Sequence, residues 1–222
     1  AAGVVVPDEA VAVDAGDTAY YLRLAHSILA DGQFASNGDP TAFVMPLYPI
    51  FLAGVFRLFG QHLVAVQLVQ IALSALTLLW VYGIARRVFE ERAALAAAAL
   101  GGGHLYLVHW SGFVLTDTLF VFLMTAGVYA LVRLDQARRP GWAALTGLLA
   151  GLAALCRSVA VGAFAALGAV WLARGFGQRR AWALLAVLGL TAALVMAPWA
   201  VRNHLEFDAF IPTTNQFGSV LF

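Results

Sequence analysis

Charge is what this 222-residue chain has least of. Charged residues make up 11% of it and hydrophobic ones 62%, where a soluble domain carries about 25% and about 45–50%. Lysine is absent: all 13 basic residues are Arg. With a net charge of +1 and no basic stripe, the chain offers nucleic acid no surface, and no such partner is expected. One cysteine, Cys156, excludes an intrachain disulfide and leaves the redox compartment open. Position 1 is Ala rather than Met, and no basic stretch precedes an apolar core, so no signal peptide is visible. The chain stops at Val220-Leu221-Phe222 without a polar tail and reads as a fragment cut at both ends. What remains is apolar surface, with a mean hydropathy of +0.85, more than a watery fold can bury. Lipid is the expected solvent, and the all-Arg, Ala-rich composition points to a GC-rich bacterial genome.

A spanning helix needs roughly 20 apolar residues to cross about 30 Å of hydrocarbon. Residues 63–85 carry no charge and satisfy this directly. Residues 93–132 carry one, Asp117, and are too long for a single crossing. Gly101-Gly102-Gly103-His104 and His109-Trp110-Ser111-Gly112 supply a turn, giving helices near 93–108 and 113–133. Residues 141–173 carry only Arg157 and predict a short hairpin turning at Cys156-Arg157-Ser158; 181–201 is the last span. Gly147 and Gly151 form a small-xxx-small pair that permits close helix approach. The predicted fold is all-α: a polytopic transmembrane bundle of about six spans over 63–201, after an outer first loop at 1–62 and before the start of another at 202–222.

Nine of the thirteen arginines fall in three short loops: Arg86, Arg87 and Arg92; Arg133, Arg138 and Arg139; Arg174, Arg179 and Arg180. Pairs of spans separate these loops, so the positive-inside rule places all three in the cytoplasm and the intervening segments outside. The first 62 residues hold half of the twelve acids: Asp8, Glu9, Asp14, Asp17, Asp31 and Asp39. Within them, residues 20–30 have helical apolar spacing and predict a surface-lying helix ended by Asp31-Gly32. Residues 46–59, interrupted by Pro49 and Arg57, suit an interfacial helix better than a span.

Several polar residues then collect on the outer face. Asp14-Ala15-Gly16-Asp17 with Tyr20-Tyr21 places carboxylates where they can act as bases or hold a cation; equally, Asp17 can cap the helix that follows. Asp117 lies among apolar residues near an outer helix end. An acid at membrane depth costs about 2.5–3.5 kcal/mol and is a functional candidate by default, with helix-dipole stabilisation as the alternative. Arg157, and Arg202 in Pro198-Trp199-Ala200-Val201-Arg202-Asn203, are suited either to an anionic group or to interface anchoring. His104 and His109 are five apart, not at the spacing of a helical metal pair.

These pieces resemble, in order, the bacterial members of the dolichyl-phosphate-mannose-protein mannosyltransferase family, glycosyltransferase family 39. The matching stretches include Asp17-Thr18-Ala19-Tyr20-Tyr21, Pro46-Leu47-Tyr48-Pro49, Leu115-Thr116-Asp117, Leu155-Cys156-Arg157 and Ala197-Pro198-Trp199-Ala200-Val201-Arg202-Asn203. The chain departs from relatives that place Lys or Arg just before the Pro-x-Tyr-Pro element, since Phe43-Val44-Met45 supplies no charge. The resemblance implies sugar transfer, with inversion, from a polyprenyl-phosphate donor to a glycan, lipid or protein acceptor. The expected setting is the outer face of a bacterial plasma membrane, and the fragment is expected to be inactive alone. By the same resemblance Asp17 and Asp117 are catalytic, and Asp14, Tyr21, Tyr48, Arg157, Arg202 and Asn203 bind substrate. A divalent metal ion is left open as a cofactor. Two other readings stay open: a transporter or flippase, and a non-catalytic protein of the same fold.

Overall fold

The computed structural model describes residues 16–104, 109, 112–174 and 178–214. Helix α1 (Asp17–Asp31) opens with Asp17 in its first turn, where the helix dipole favours an acid. It ends at Gly32, whose φ of 68° is a left-handed cap, its N–H donating to the Ile28 carbonyl. A two-stranded hairpin follows, β1 (Ala35–Ser36) against β2 (Asp39–Pro40). Asn37 and Gly38 turn it, both at positive φ, as a tight two-residue hairpin requires. Helix α2 (Leu47–Phe59) contains Pro49 without breaking. The proline falls in the first turn, where its missing N–H has no helical partner to lose.

The bundle is α3 (Leu63–Val88), α4 (Glu91–Gly102), α5 (Asp117–Ala137), α6 (Pro140–Cys156), α7 (Val159–Ala173) and α8 (Arg179–Phe207). Among the described residues, α3, α5 and α8 are long and apolar enough to cross a membrane, while α2, α6 and α7 are shorter apolar helices. One flank of α3 shows Val64, Leu68, Ile71 and Leu79, each at least half exposed. Two expectations shift. Helix α5 starts at Asp117, not near 113, because the preceding residues are tied to other helices. Helix α8 continues through Pro198 to Phe207, so residues 202–207 are helical rather than loop; its end is docked onto the first loop, which compensates for the single backbone bond that Pro198 removes.

Helix α6 is central, packed between α5 and α8. Gly147 and Gly151 face α8. A Cβ on Gly147 would collide with the Leu188 carbonyl, and one on Gly151 would lie 2.9 Å from the Ala192 carbonyl and 2.8 Å from Val195 Cβ. On α5, a Cβ at Gly127 would run into the Phe164 ring of α7. The small-residue pair thus lets two backbones touch, which is how helices gain contact when lipid removes the hydrophobic drive between them.

The three arginine clusters meet at one end. Arg87 donates to the Gly83 carbonyl and to the Tyr129 hydroxyl, and lies 4.6 Å from the Tyr129 ring centre. Arg133 stacks on Trp142, Arg138 on Trp171, and Arg180 donates to the Arg138 carbonyl. Helix α1, the hairpin, Asp117, Arg157 and Arg202 lie at the other end.

The α6–α8 seam makes a stability prediction. Gly147→Ala should lower the thermal unfolding temperature of the detergent-extracted protein, at a cost of about 1–3 kcal/mol for overpacking against backbone. Gly162→Ala, where nothing lies within 4 Å of the new methyl, should not. Equal melting temperatures for the two variants would contradict the packing described.

Candidate active site

Helix α5 begins where it does because a short connector, 112–116, is held through its own carbonyls. Gln67 of α3 donates to the Gly112 carbonyl at 2.9 Å and Gln70 to that of Phe113 at 2.6 Å. From α1, Thr18 donates to the Val114 carbonyl at 3.2 Å. The Cys156 thiol at the end of α6 reaches the Thr116 carbonyl at 3.7 Å. Backbone carbonyls near hydrocarbon must be satisfied from within the protein. Here three helices supply the donors, and the next residue is Asp117.

Asp117 accepts a hydrogen bond from Arg157 Nη1 at 2.7 Å. Arg157 caps the α6–α7 hairpin, and its side chain is 45% exposed, so the pair contributes little stability, about 0–1 kcal/mol for such exposure. Its value is positional: a guanidinium held in place with donors turned to solvent. Phe120 supports it, 5.6 Å from the guanidinium carbon.

Tyr21 joins this pair to α1. Its ring packs edge-on against Tyr48 at 5.1 Å. Burial pushes the phenol pKa up to about 12, and the nearby charges of Asp17 and Asp117 add to the rise while Arg157 opposes it. Asp17, Tyr21, Asp117 and Arg157 therefore share one electrostatic neighbourhood. Asp17 itself is exposed.

The remaining sequence candidates separate. Tyr48 is fully buried, and its hydroxyl donates to Gln70 Oε1 at 2.9 Å; it joins α2 to α3 rather than facing a ligand. Arg202 donates to the carbonyls of Phe34 (2.9 Å) and Thr41 (2.8 Å) and to Asn203 Oδ1 (3.0 Å). The rings of Phe34, Trp199 and Phe207 lie 5.3–5.9 Å from its guanidinium carbon. Asn203 is fully buried and donates to the Ile211 carbonyl. This group ties the first loop to the end of α8. Beside it opens a cavity of about 510 Å³ walled by Phe34, Ile50, Leu155, Trp199 and Arg202. Asp14 lies outside the described residues. Among the described residues no three His, Cys, Asp or Glu side chains gather as a metal site would need.

Sequence reasoning passed over Thr18, Gln67 and Gln70. The signal was present: two glutamines three apart share one helix face in a stretch otherwise almost wholly apolar.

Fold and site together define a polytopic membrane protein whose polar groups converge at one end of a helical bundle. The chain belongs to the dolichyl-phosphate-mannose-protein mannosyltransferase family, which it matches over residues 40–201. It is similar to the undecaprenyl phosphate-alpha-4-amino-4-deoxy-L-arabinose arabinosyl transferases of Pseudomonas aeruginosa (strain LESB58) and Pseudomonas paraeruginosa (strain DSM 24068 / PA7). With each it is 29% identical over 203 residues, covering 85% of this chain and 36% of the relative. The chain thus spans about a third of the length of these curated relatives. No solved structure gives a significant match.

The Tyr21 environment sets a pH dependence. A free tyrosine releases its proton near pH 10, whereas Tyr21 keeps it until about pH 12. Between those values the unfolded chain binds fewer protons than the native one, so Tyr21 makes stability fall as pH rises. Subtracting the Tyr21→Phe titration from the wild-type phenolate titration should isolate a group ionising near pH 12. A difference curve centred at pH 10 would contradict the buried placement.

Proposed function

We propose that this chain is the catalytic membrane portion of a glycosyltransferase. It would transfer a sugar from a polyprenyl-phosphate donor to an acceptor hydroxyl or amine at the acidic end of the bundle. The observation that carries this reading is the convergence of Asp17, Asp117 and Arg157, from three distant stretches of sequence, around Tyr21. The undecaprenyl-phosphate donors named for the relatives support the donor class, and the arginine-rich opposite end supports an extracytoplasmic site by the positive-inside rule.

In the proposed reaction the acceptor attacks the anomeric carbon from the face opposite the phosphate, giving inversion. Asp17, exposed and unencumbered by an ion pair in the described structure, takes the acceptor proton. The glycosyl–phosphate bond breaks with its electron pair leaving on the phosphate oxygen. Arg157 stabilises that charge as it grows, and Asp117 fixes the guanidinium through their 2.7 Å contact. Arg202 is assigned away from the phosphate: three of its N–H groups already serve Phe34, Thr41 and Asn203, so its part is to hold the first loop on α8.

Asp17→Asn in the full-length protein tests the reading. Transfer from an undecaprenyl-phosphate-linked sugar should fall by about 10²–10⁴-fold, the range for losing a general base, while donor binding persists. Wild-type transfer rates would overturn the role given to Asp17. Sidedness has its own check: in intact cells an Asp17→Cys protein should react with a membrane-impermeant thiol reagent, and protection from that reagent until the cells are opened would refute an outer site.

A further inference from the structure

Gln70 stands in the third turn of α3, fully buried, about 10 Å along the helix from Leu63 at 1.5 Å per residue. A primary amide at that depth is costly unless both its halves are satisfied, and here they are satisfied by different elements. Its oxygen accepts from the Tyr48 hydroxyl of α2 at 2.9 Å, and its nitrogen donates to the Phe113 carbonyl at 2.6 Å. The Tyr48 phenol is pushed well above its ordinary pKa by burial, so the donor of this relay keeps its proton at any working pH. One side chain therefore links the juxtamembrane helix α2, the span α3 and the connector that ends in Asp117.

Neighbouring contacts restrict what this link can be for. Gln67 and Thr18 hold carbonyls on either side of Phe113, and Cys156, adjacent to Arg157, holds that of Thr116. Side chains hold four of the connector's five carbonyls; Asp117 follows the connector directly, and Arg157 follows Cys156, which is bound to it. Leucine at position 70 would leave the buried Tyr48 hydroxyl and the Phe113 carbonyl without these partners, so the amide both satisfies these groups and fixes where the connector lies.

We infer that Gln70 is a positioning residue: through Tyr48 and the Phe113 carbonyl it sets where Asp117, and with it the Arg157 guanidinium, stands for transfer. The inference rests on the role proposed above for Asp117. Gln70→Met keeps the length and volume of the side chain and removes the hydrogen bonds to Tyr48 and to the Phe113 carbonyl; Tyr48→Phe removes only the first of these and keeps the ring.

The test is donor-saturation kinetics on full-length protein, in the wild-type and Asp117→Asn backgrounds, with an undecaprenyl-phosphate-linked sugar as donor. Gln70→Met should lower kcat by about 10–100-fold, as a displacement on the ångström scale does, with donor KM within about twofold. Tyr48→Phe should give a smaller loss in the same direction. In the Asp117→Asn background, Gln70→Met should cause no further loss, because residues acting as a unit are not additive. A merely structural role would reduce the active fraction equally in both backgrounds, and that result would overturn the inference. An Asp117→Asn protein that is impaired beside a fully active Gln70→Met would overturn it alone. Wild-type transfer by Asp117→Asn would instead overturn the role of Asp117, and this inference with it.

Discussion

Between the described end of α4 and the start of α5, the chain has to leave helical structure close to hydrocarbon. Val114, Leu115 and Thr116 are buried there, and a buried carbonyl left bare costs as much as a lost hydrogen bond or more. The fold answers with side chains: Gln67, Gln70, Thr18 and Cys156 each reach in from a neighbouring helix. This obligation orders the acidic end of the molecule. It dictates where α5 starts, holds α1 on the bundle through Thr18, and brings the α6–α7 turn beside Asp117. The Asp117–Arg157 contact is a consequence of that arrangement, too exposed to be its cause.

Arg157 and Arg202 show how environment separates residues of one type. Both sit at the acidic end, both lie near aromatic rings, and the sequence gives each the same pair of readings. Arg157 finds a single carboxylate partner and stays nearly half exposed. Arg202 is wrapped by three rings and spends its donors on neutral carbonyls. A guanidinium whose fork is filled by backbone oxygens is a fastener. One held by a lone carboxylate keeps N–H groups for an incoming anion.

The long apolar runs, the hairpin turn at Arg157 and the gathering of arginines at one end were all legible in the sequence, because each depends on composition over many residues. Asp117 and Arg157 were legible for a related reason: a charge in an apolar stretch stands out against its surroundings. Gln67 and Gln70 escaped because a charge count treats amides as silent, although a buried amide faces the same demand for partners. Tyr48 was noticed for its motif, but its direction was not available; only the packing of α2 on α3 turns the hydroxyl inward. The Asn37-Gly38 turn carried a recognisable signal, yet strands of two residues are too short for alternation to reveal. Arg202 could not be resolved at all, since its partners Phe34 and Thr41 are about 160 or more positions away and no local pattern encodes that distance.

The same packing weighs between an enzyme and a conduit. A translocation path needs polar groups or irregular backbone near the middle of the membrane. In this bundle Gly147 and Gly151 bring α6 against the backbone of α8, and Gly127 receives the Phe164 ring. Farther down α3, Thr77 turns back to its own helix at the Leu73 carbonyl. Among the described residues, Asp17, Asp117 and Arg157 thus gather at one end and the arginine clusters at the other. Under the proposed transfer reaction, a site at one end of the bundle would meet a lipid-borne phosphate at the membrane surface without that lipid having to cross. That placement fits the proposed group transfer at an interface, and the helix that meets the α8 backbone through Gly147 and Gly151 is the one that ends at Cys156, next to Arg157.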